Sequence, residues 1–276
     1  VRRGLFFFFF GKQIATVRLF DSPKNFPNDQ STVDEFVIGA TIVDVRRRAK
    51  VLLIDLDTDY TLVIHLKMTG QLVVIPPATN SQSQVPRWGA GHPNDSLIGA
   101  LPDRSTRVEI SFSDAGHLFF NDQRKFGWVK VYPTMEVPNI DFMQRVGPEP
   151  LEDSFTSKEF VPRVRRRQNT TIKAAILDQT VLAGVGNIYA DESLWGARIH
   201  PATRVRDVTD KQLTLLLAEI KYVMNLSIEK GGSTNHTYVN AEGKKGSYTD
   251  FARVFRREGQ LCPRCGTTIE KARVAG

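Results

Sequence analysis

Between residues 36 and 133 the chain alternates short apolar runs with polar turns. The runs are rich in Val, Ile, Leu and Phe and read VIGATIVDV, VLLIDLD, TLVIHL, QLVVI, RVEISF, HLFFN and WVKVY. Turn signals such as DTD and SDAG separate them, and a long polar loop covers residues 76–103. Repeated short strands at this spacing predict an antiparallel β-sandwich or barrel.

Near residues 146–153, VGPEPLED, the pattern changes from strands to helices. The clearest helix lies in TDKQLTLLLAEIKYVMNLSIEKGG, where Thr209 and Gln212 form a capping-box pattern and Gly231 supplies the stop. Its apolar residues repeat at helical spacing and are Leu213, Leu216, Leu217, Ile220, Val223 and Met224.

An earlier helix pair is predicted in IKAAILDQTVLAGVGNIYADESLWGARIHP. Two helices around a tight glycine turn form a unit that often sits against DNA. Gly184 and Gly186 would let a phosphate approach the backbone, and Asn187 stands where a helix N-cap is expected. The alternative is an ordinary helix corner in which the glycines serve close packing.

Composition narrows the class of protein. The 276 residues favour two domains with a small appendage, and 41% hydrophobic with 24% charged residues is typical of a soluble globular protein. No apolar run approaches the roughly 20 residues of a membrane span. The run LFFFFF at residues 5–10 is too short for a span and lacks a cleavage site after it, so we expect no signal peptide and a core role for these residues.

The net charge of +7 suits a polyanionic partner. Basic clusters stand at residues 46–50 (RRRAK), 163–167 (RVRRR) and 253–257 (RVFRR). One such cluster is more often a solvated face than a binding surface, but three in one chain indicate nucleic acid.

The two cysteines, Cys262 and Cys265, form the motif CPRC close to the C-terminus. With no other cysteine to pair with, they argue against a disulfide scaffold and for a reducing compartment. Two thiolates fill only half of the tetrahedral shell of a structural zinc. The alternative is a pair of packed cysteines.

Several segments, in this order, resemble landmarks of the formamidopyrimidine-DNA glycosylase family of bacterial repair enzymes. They are RRRAK, IHLKMTG, FNDQRKFGWV, VGPEPL, AGVGNIYADESLWGARIHP, SIEKGGST and CPRCGT, and they span nearly the whole chain. The resemblance implies an α+β multidomain fold. It has an N-terminal β-sandwich with a leading helix (residues 1–135), a helix-two-turn-helix DNA-binding domain (146–240) and an incomplete C-terminal zinc finger (241–276).

The resemblance also implies roles for individual residues. Lys50 matches a catalytic lysine that holds the phosphate beside the lesion and assists elimination, and His65 would lie near the DNA backbone. Met68, Arg124 and Phe126 match side chains that fill the gap left by an extruded nucleotide. From the residues alone, Lys50 could be a surface lysine, Met68 a buried strand residue, and DQRKFG a hairpin turn with a salt bridge.

Further roles are implied in the helical half. Lys173 resembles a lysine near the bound lesion, and Asn187 a DNA-contacting residue of the helix turn. Cys262 and Cys265 would supply half of a structural zinc site whose other pair is expected beyond Gly276. The segment 231–250 would be the loop that covers the lesion.

The family's nucleophile is the amine of an N-terminal Pro, followed by a Glu, directly before the VRR with which this chain starts. We therefore expect a chain shortened at both ends. The implied activity is removal of oxidised purines, 8-oxoguanine and formamidopyrimidines, followed by β,δ-elimination that nicks the strand. The expected partner is damaged double-stranded DNA, bound by a monomer in a bacterial cytoplasm.

Three alternatives remain open on the sequence. An endonuclease VIII type would act on oxidised pyrimidines, although DQRKFG and AGVGNIYADE look more like the purine-acting branch. A catalytically inert DNA-damage binder would follow from the missing Pro and Glu. An RNA-binding zinc-ribbon protein would prefer single strands, and nothing in the sequence favours it.

Overall fold

The computed structural model describes residues 6, 8–20, 22–77, 87–91, 99–232 and 248–275. The chain divides into two compact units, the first built on residues up to Gln144 and the second beginning at Arg145. The predicted lesion-covering loop falls mostly on residues 233–247, which lie outside the described residues.

The described residues of the first unit form nine strands in two antiparallel sheets. The five-stranded sheet has the order β1 (Ile14–Leu19), β7 (Thr106–Phe112), β8 (His117–Asp122), β5 (Gly70–Ile75) and β6 (Trp88–Gly91). The four-stranded sheet has the order β2 (Ile42–Arg48), β3 (Val51–Leu56), β4 (Tyr60–His65) and β9 (Trp128–Pro133). Helix α1 (Gln30–Phe36) precedes β2.

The core of this unit lies between the two sheets and takes side chains from both, among them Ile14, Val45, Ile64, Leu72 and Phe120. The predicted sandwich is therefore confirmed, rather than the barrel. Phe9 is fully buried in this core, whereas Phe10 is exposed. The phenylalanine run thus contributes to the core through part of its length only.

Strands β3 and β4 read as continuous apolar runs because both of their faces are covered. One face packs into the sandwich, and the other forms a second cluster in which Val51, Leu53 and Val63 meet Val137. Val137 lies in a 3-10 helix (Thr134–Asn139) that directly follows β9. Strand β2 has exposed positions between its buried ones, as expected for a strand with one face in water.

The second unit is helical. A short helix, α2 (Asp141–Arg145), ends the first unit at its boundary in the sequence. Among the described residues, the helices of the second unit are α3 (Ser157–Arg165), α4 (Ile172–Leu177), α5 (Asn187–Gly196), α6 (Asp210–Glu229) and α7 (Tyr248–Phe251), with a 3-10 turn at Val205–Asp207. The capping box of Thr209 and Gln212 is present at the start of α6. The predicted apolar face of α6 packs into a core shared with α3, α4 and α5.

These observations confirm the predicted α+β class with a sandwich and a helical domain. The residue bounds of the predicted domains and the incomplete zinc finger stay predictions. Among the described residues, no helix is long and apolar enough to cross a membrane.

Candidate nucleic-acid interface

Two neighbouring connections in the first unit lead from one sheet to the other. Residues 66–69 join β4 of the four-stranded sheet to β5 of the five-stranded sheet. Residues 123–127 join β8 back to β9, and the ladders pair His65 with Trp128 and Gly70 with Asp122. The two connections therefore run side by side, although more than fifty residues separate them in the sequence.

Both connections present large side chains to solvent. Met68 is 70% exposed and Phe126 is 56% exposed, unlike the apolar residues of the flanking strands. The Arg124 guanidinium lies over the Phe126 ring, 4.9 Å from its centroid. The side chains of Arg124 and Phe126 therefore stack on each other at the surface of the second connection.

The carboxylate of Asp122 holds the second connection and ties it to the first. It accepts a hydrogen bond from the Gly127 N–H at 2.6 Å and another from the Arg124 N–H at 3.2 Å. It also accepts one from the hydroxyl of Thr69, and the Arg124 N–H lies 3.3 Å from that hydroxyl oxygen. Asp122 is fully buried, so these donors replace the water that a carboxylate otherwise requires.

Gly70 lets the first connection pass close to the strand that follows it. A Cβ atom at Gly70 would lie 2.3 Å from the carbonyl oxygen of Leu66. The Gly70 N–H donates to that same oxygen at 2.8 Å, which closes the turn beneath Met68. Lys67 and Lys125, one in each connection, adopt left-handed backbone conformations with φ of 51° and 58°.

His65 ends β4 beside this surface and is 8% exposed. Its Nδ1 accepts a hydrogen bond from the Lys67 N–H at 2.9 Å, so the neutral ring carries its proton on Nε2. Burial, with the charges of Lys67 and Lys50, lowers the pKa of His65 to about 4. At neutral pH His65 is therefore an uncharged hydrogen-bond donor.

Lys50 occupies the turn between β2 and β3, directly before Val51, whose ladder partner is His65. Its side chain is exposed overall, yet desolvation of the ammonium by the surrounding protein lowers the pKa of Lys50. The charges of Lys67 and Lys50 both contribute to the lowered pKa of His65, so these two lysines and the neutral ring form one electropositive group.

In the second unit, the glycine turn before α5 is organised by Gln179. Its side-chain oxygen accepts from the Gly184 N–H at 2.9 Å, and its amide donates to the Val185 carbonyl at 3.0 Å. Gly184 has φ of +82°, a conformation that a residue with a Cβ rarely adopts. The turn is thereby fixed before the helix begins.

The N-cap of α5 is Gly186 and not Asn187, which is a correction of one position. Gly186 has the extended conformation of a cap, with φ of −117° and ψ of 175°, and Asn187 is the first helical residue with an exposed side chain. The N–H groups of the first turn point out of the helix end without intrahelical partners. Such an end attracts anions.

The chain is similar to known proteins over nearly its whole length. Residues 1–129 match the formamidopyrimidine-DNA glycosylase N-terminal domain, and residues 146–239 match the formamidopyrimidine-DNA glycosylase H2TH domain. A formamidopyrimidine-DNA glycosylase of Herpetosiphon aurantiacus is 38% identical over 276 residues, which is 100% of this chain and 92% of the relative. One of Pelotomaculum thermopropionicum is 35% identical over 266 residues, 96% of this chain and 87% of the relative.

The chain belongs to the formamidopyrimidine-DNA glycosylase family. Membership confirms the predicted enzyme class, a DNA glycosylase of base-excision repair.

Solved structures of the family agree with the fold. The Lactococcus lactis Fpg in complex with DNA containing an abasic site superposes with a TM-score of 0.84 at 29% identity, covering 100% of this chain and 92% of that one. The same enzyme bound to DNA containing N7-benzyl-Fapy-dG gives a TM-score of 0.83 at 28% identity and the same coverage.

Within this glycosylase, Lys173 is a buried residue whose ammonium forms an ion pair with Asp191 of α5, with Nζ 2.9 Å from Oδ1 and 3.0 Å from Oδ2. The pair joins α4 to α5 close to the glycine turn. Lys173 therefore contributes to the position of α5, whatever else it contacts.

Cys262 and Cys265 lie in a tight knuckle. The Cys262 N–H donates to the Thr267 carbonyl at 2.8 Å, the Gly266 N–H donates to the Cys262 carbonyl at 2.9 Å, and Gly266 has φ of +73°. The indole N–H of Trp195 donates to the Cys262 sulfur at 3.4 Å and, with nearby backbone N–H groups, lowers the pKa of Cys262 to about 7. Two thiols in this arrangement fit one half of a tetrahedral zinc shell.

Sequence reasoning missed three residues that shape these surfaces: Asp122, Gln179 and Glu192. Each is a polar side chain that satisfies backbone N–H groups of a turn or loop. The sequence signal for Asp122 is a polar residue at the last position of a strand. The signal for Gln179 is a polar residue just before a glycine-rich turn. Glu192 has no local signal, because its partners lie more than sixty residues downstream.

Proposed function

We propose that this glycosylase removes oxidised purines, 8-oxoguanine and formamidopyrimidines, from double-stranded DNA and then cleaves the strand by β,δ-elimination. The observation that carries the proposal is the pair of linked connections that expose Met68, Arg124 and Phe126. Unstacking one nucleotide leaves a gap, and an enzyme that extrudes a base must fill it. Apolar wedges and a guanidinium with five donors suit that task.

The electropositive group beside these connections fits the backbone of the same nucleotide. The Lys50 ammonium would hold the flanking phosphate and, because its pKa is lowered, exchange a proton more readily during elimination than an ordinary lysine. The neutral His65 would donate its Nε2–H to a phosphate oxygen without a second positive charge. Asn187 and the first turn of α5 would bind a further phosphate.

The test is base release from duplexes that carry one 8-oxoguanine, one formamidopyrimidine or one thymine glycol. Because the family resemblance places the nucleophilic Pro before Val1, a protein with Pro and Glu added in front of Val1 is assayed beside the present chain. Borohydride is expected to trap the extended protein on both purine lesions. Faster trapping on thymine glycol would instead favour the pyrimidine-acting type, and lesion binding without trapping by either protein would favour an inert damage binder.

Lys50 is tested in the extended protein through Lys50→Ala and Lys50→Arg. We expect the alanine variant to lose strand cleavage at a preformed abasic site by at least about a hundredfold, as for loss of a positioned proton donor. Arginine would restore phosphate binding but not elimination. Equal cleavage by all three proteins would remove Lys50 from the proposal.

We also propose that Cys262 and Cys265 bind a structural zinc ion together with two further ligands. In the described part of the chain, no three His, Cys, Asp or Glu side chains lie together as a metal group. Cobalt titration of the chain gives the test, because thiolate ligation produces a charge-transfer band that Cys262→Ser must weaken. Residues 241–276 would form the zinc finger.

We further propose that the protein acts as a monomer in the cytoplasm.

A further inference from the structure

Glu192 of helix α5 is a carboxylate buried among backbone N–H groups. It is 1% exposed, and its Oε2 accepts from the Arg253 N–H at 2.7 Å. Its Oε1 accepts from the Val254 N–H at 2.9 Å and from the Phe255 N–H at 2.8 Å. Three consecutive amides of a distant segment therefore converge on one side chain.

This arrangement is an anion nest that a carboxylate of the protein already occupies. Successive N–H groups turned toward one point form a concavity that suits an anion, and the backbone leaves it through Arg256, with φ of +60°. Each of the three amides donates a hydrogen bond to the Glu192 carboxylate, and such bonds are stronger than those to a neutral acceptor. The conformation of residues 253–255 therefore depends on that carboxylate.

The segment so held is the third basic cluster, residues 253–257. Arg253 points back onto the helices, with its guanidinium 2.9 Å from Glu219 and over the rings of Trp195 and Tyr222. Arg256, in contrast, is exposed, and its guanidinium lies near the Phe255 ring. Arg253 thus adds to the anchor of this segment, by which we mean the hydrogen bonds from residues 253–255 to Glu192. The side chain of Arg256 is exposed to solvent.

The same helix begins at Asn187, at the end to which the proposed function assigns a phosphate. Glu192 lies five positions after Asn187, which is about 7.5 Å along a helix axis. Helix α5 therefore links the glycine turn that precedes it to the basic segment that Glu192 holds. A rigid link between two phosphate-binding elements reduces the entropy lost when both bind one duplex.

We propose that Glu192 is a positioning residue for DNA binding: its carboxylate holds residues 253–257 on α5 so that Arg256 contacts a DNA phosphate. The proposal rests on the proposed binding of duplex DNA. An acidic residue that strengthens the binding of a polyanion is unusual. Removing a negative charge strengthens such binding when only the net charge matters, whereas loss of the anchor weakens it.

The experiment compares Glu192→Gln with Glu229→Gln, both in the whole chain, on an undamaged duplex at several salt concentrations. Glu229 lies on α6, is exposed and pairs with its neighbour Lys230, so its substitution makes the same change in charge without touching the segment. We expect Glu192→Gln to weaken binding about tenfold. The slope of the logarithm of the binding constant against the logarithm of salt concentration should become shallower by about 0.9, which corresponds to the loss of one phosphate contact. Glu229→Gln should bind as the parent or more tightly.

Arg256→Ala, alone and combined with Glu192→Gln, tests whether Glu192 affects DNA binding through Arg256. Arg256→Ala should weaken binding in the parent but have little further effect in the Glu192→Gln background. A full additional loss in the double variant, or unchanged or tighter binding by Glu192→Gln, would overturn the proposal. A merely structural role for Glu192 would not remove the effect of Arg256 in this selective way.

Hydrogen exchange of the amides of residues 253–255 provides a readout that needs no DNA. Protection should be lost in Glu192→Gln and kept in Glu229→Gln, and retained protection in Glu192→Gln would contradict the anchor. If Glu192→Gln does not fold, Glu192→Asp provides the same comparison, because the shorter side chain cannot reach all three amides. Failure of the parent to bind any duplex would refute the proposed function, whereas binding that is insensitive to Glu192 would refute this inference alone.

Discussion

The hydroxyl of Thr69 donates a hydrogen bond to the buried carboxylate of Asp122, and this bond joins the two connections that expose the large side chains of the candidate interface. Thr69 lies beside Met68, and Asp122 directly precedes the loop of Arg124 and Phe126. A displacement of one connection therefore acts on the other. Met68, Arg124 and Phe126 are thus positioned by two connections that share one buried carboxylate.

Asp122→Asn should destabilise the protein by about 2 to 4 kcal/mol. The amide keeps one acceptor but places an NH₂ group against N–H donors that the carboxylate now satisfies. Urea unfolding measures the change. Asp114→Asn is the matched control, because Asp114 is an exposed partner of Lys12 and its loss should cost less than about 1 kcal/mol. Equal costs for both substitutions would contradict the role given to Asp122.

Met68→Ala and Phe126→Ala should separate function from stability. Both side chains are exposed, so each substitution should change the free energy of unfolding by less than about 0.5 kcal/mol. Loss of either side chain should nevertheless slow single-turnover base release by about tenfold or more, because the complex with the extruded nucleotide is less stable without it. Met135→Ala removes another highly exposed methionine of the same unit and should leave base release unchanged.

His65 should make the protein less stable as the pH falls. In the unfolded chain its pKa is about 6.5, whereas in the folded protein burial lowers the pKa to about 4. Between these values the unfolded state binds more protons, so stability is lost from about pH 6.5 downward and this loss is complete near pH 4. The shift corresponds to about 3 kcal/mol.

Two measurements check this. An NMR titration should place the pKa of His65 below about 5, and His65→Gln should flatten the dependence of unfolding free energy on pH between about pH 4 and 6.5. His200, an exposed histidine of the second unit, is the control, and its replacement by Gln should leave that dependence as it is. A titration of His65 near its ordinary value would show that the ring is solvated.

Gly70→Ala should destabilise the first unit by about 2 to 4 kcal/mol, because the new methyl would overlap the Leu66 carbonyl and the backbone must move. The displaced turn carries Met68, so base release should fall as well. At Gly116, the nearest atom to a new Cβ is Asp114 Oδ1 at 3.0 Å, the end of a side chain that can move. Thermal unfolding should therefore show a much smaller loss of stability for Gly116→Ala than for Gly70→Ala.

The sequence determined the elements whose signals are local. Hydrophobic runs with turn residues gave the strands, and the pattern at Thr209 and Gln212 gave the start of α6, because both depend on neighbours within a few residues. The ordered set of motifs was sufficient for the family, the fold class and the enzyme class. Asn187 was misplaced by one position since helix ends depend on backbone conformation, which Gly186 decides.

Only the tertiary structure decided which side chains act together. A period of two residues cannot tell whether Met68 is buried in a strand or exposed at its end, and the sheet-to-sheet connection settles that it is exposed. Asp122 and Glu192 bind backbone amides that the fold brings to them, so their partners are invisible to any local pattern. Local patterns fix secondary structure because they act through neighbouring residues, whereas a buried carboxylate finds its donors only after the chain has folded.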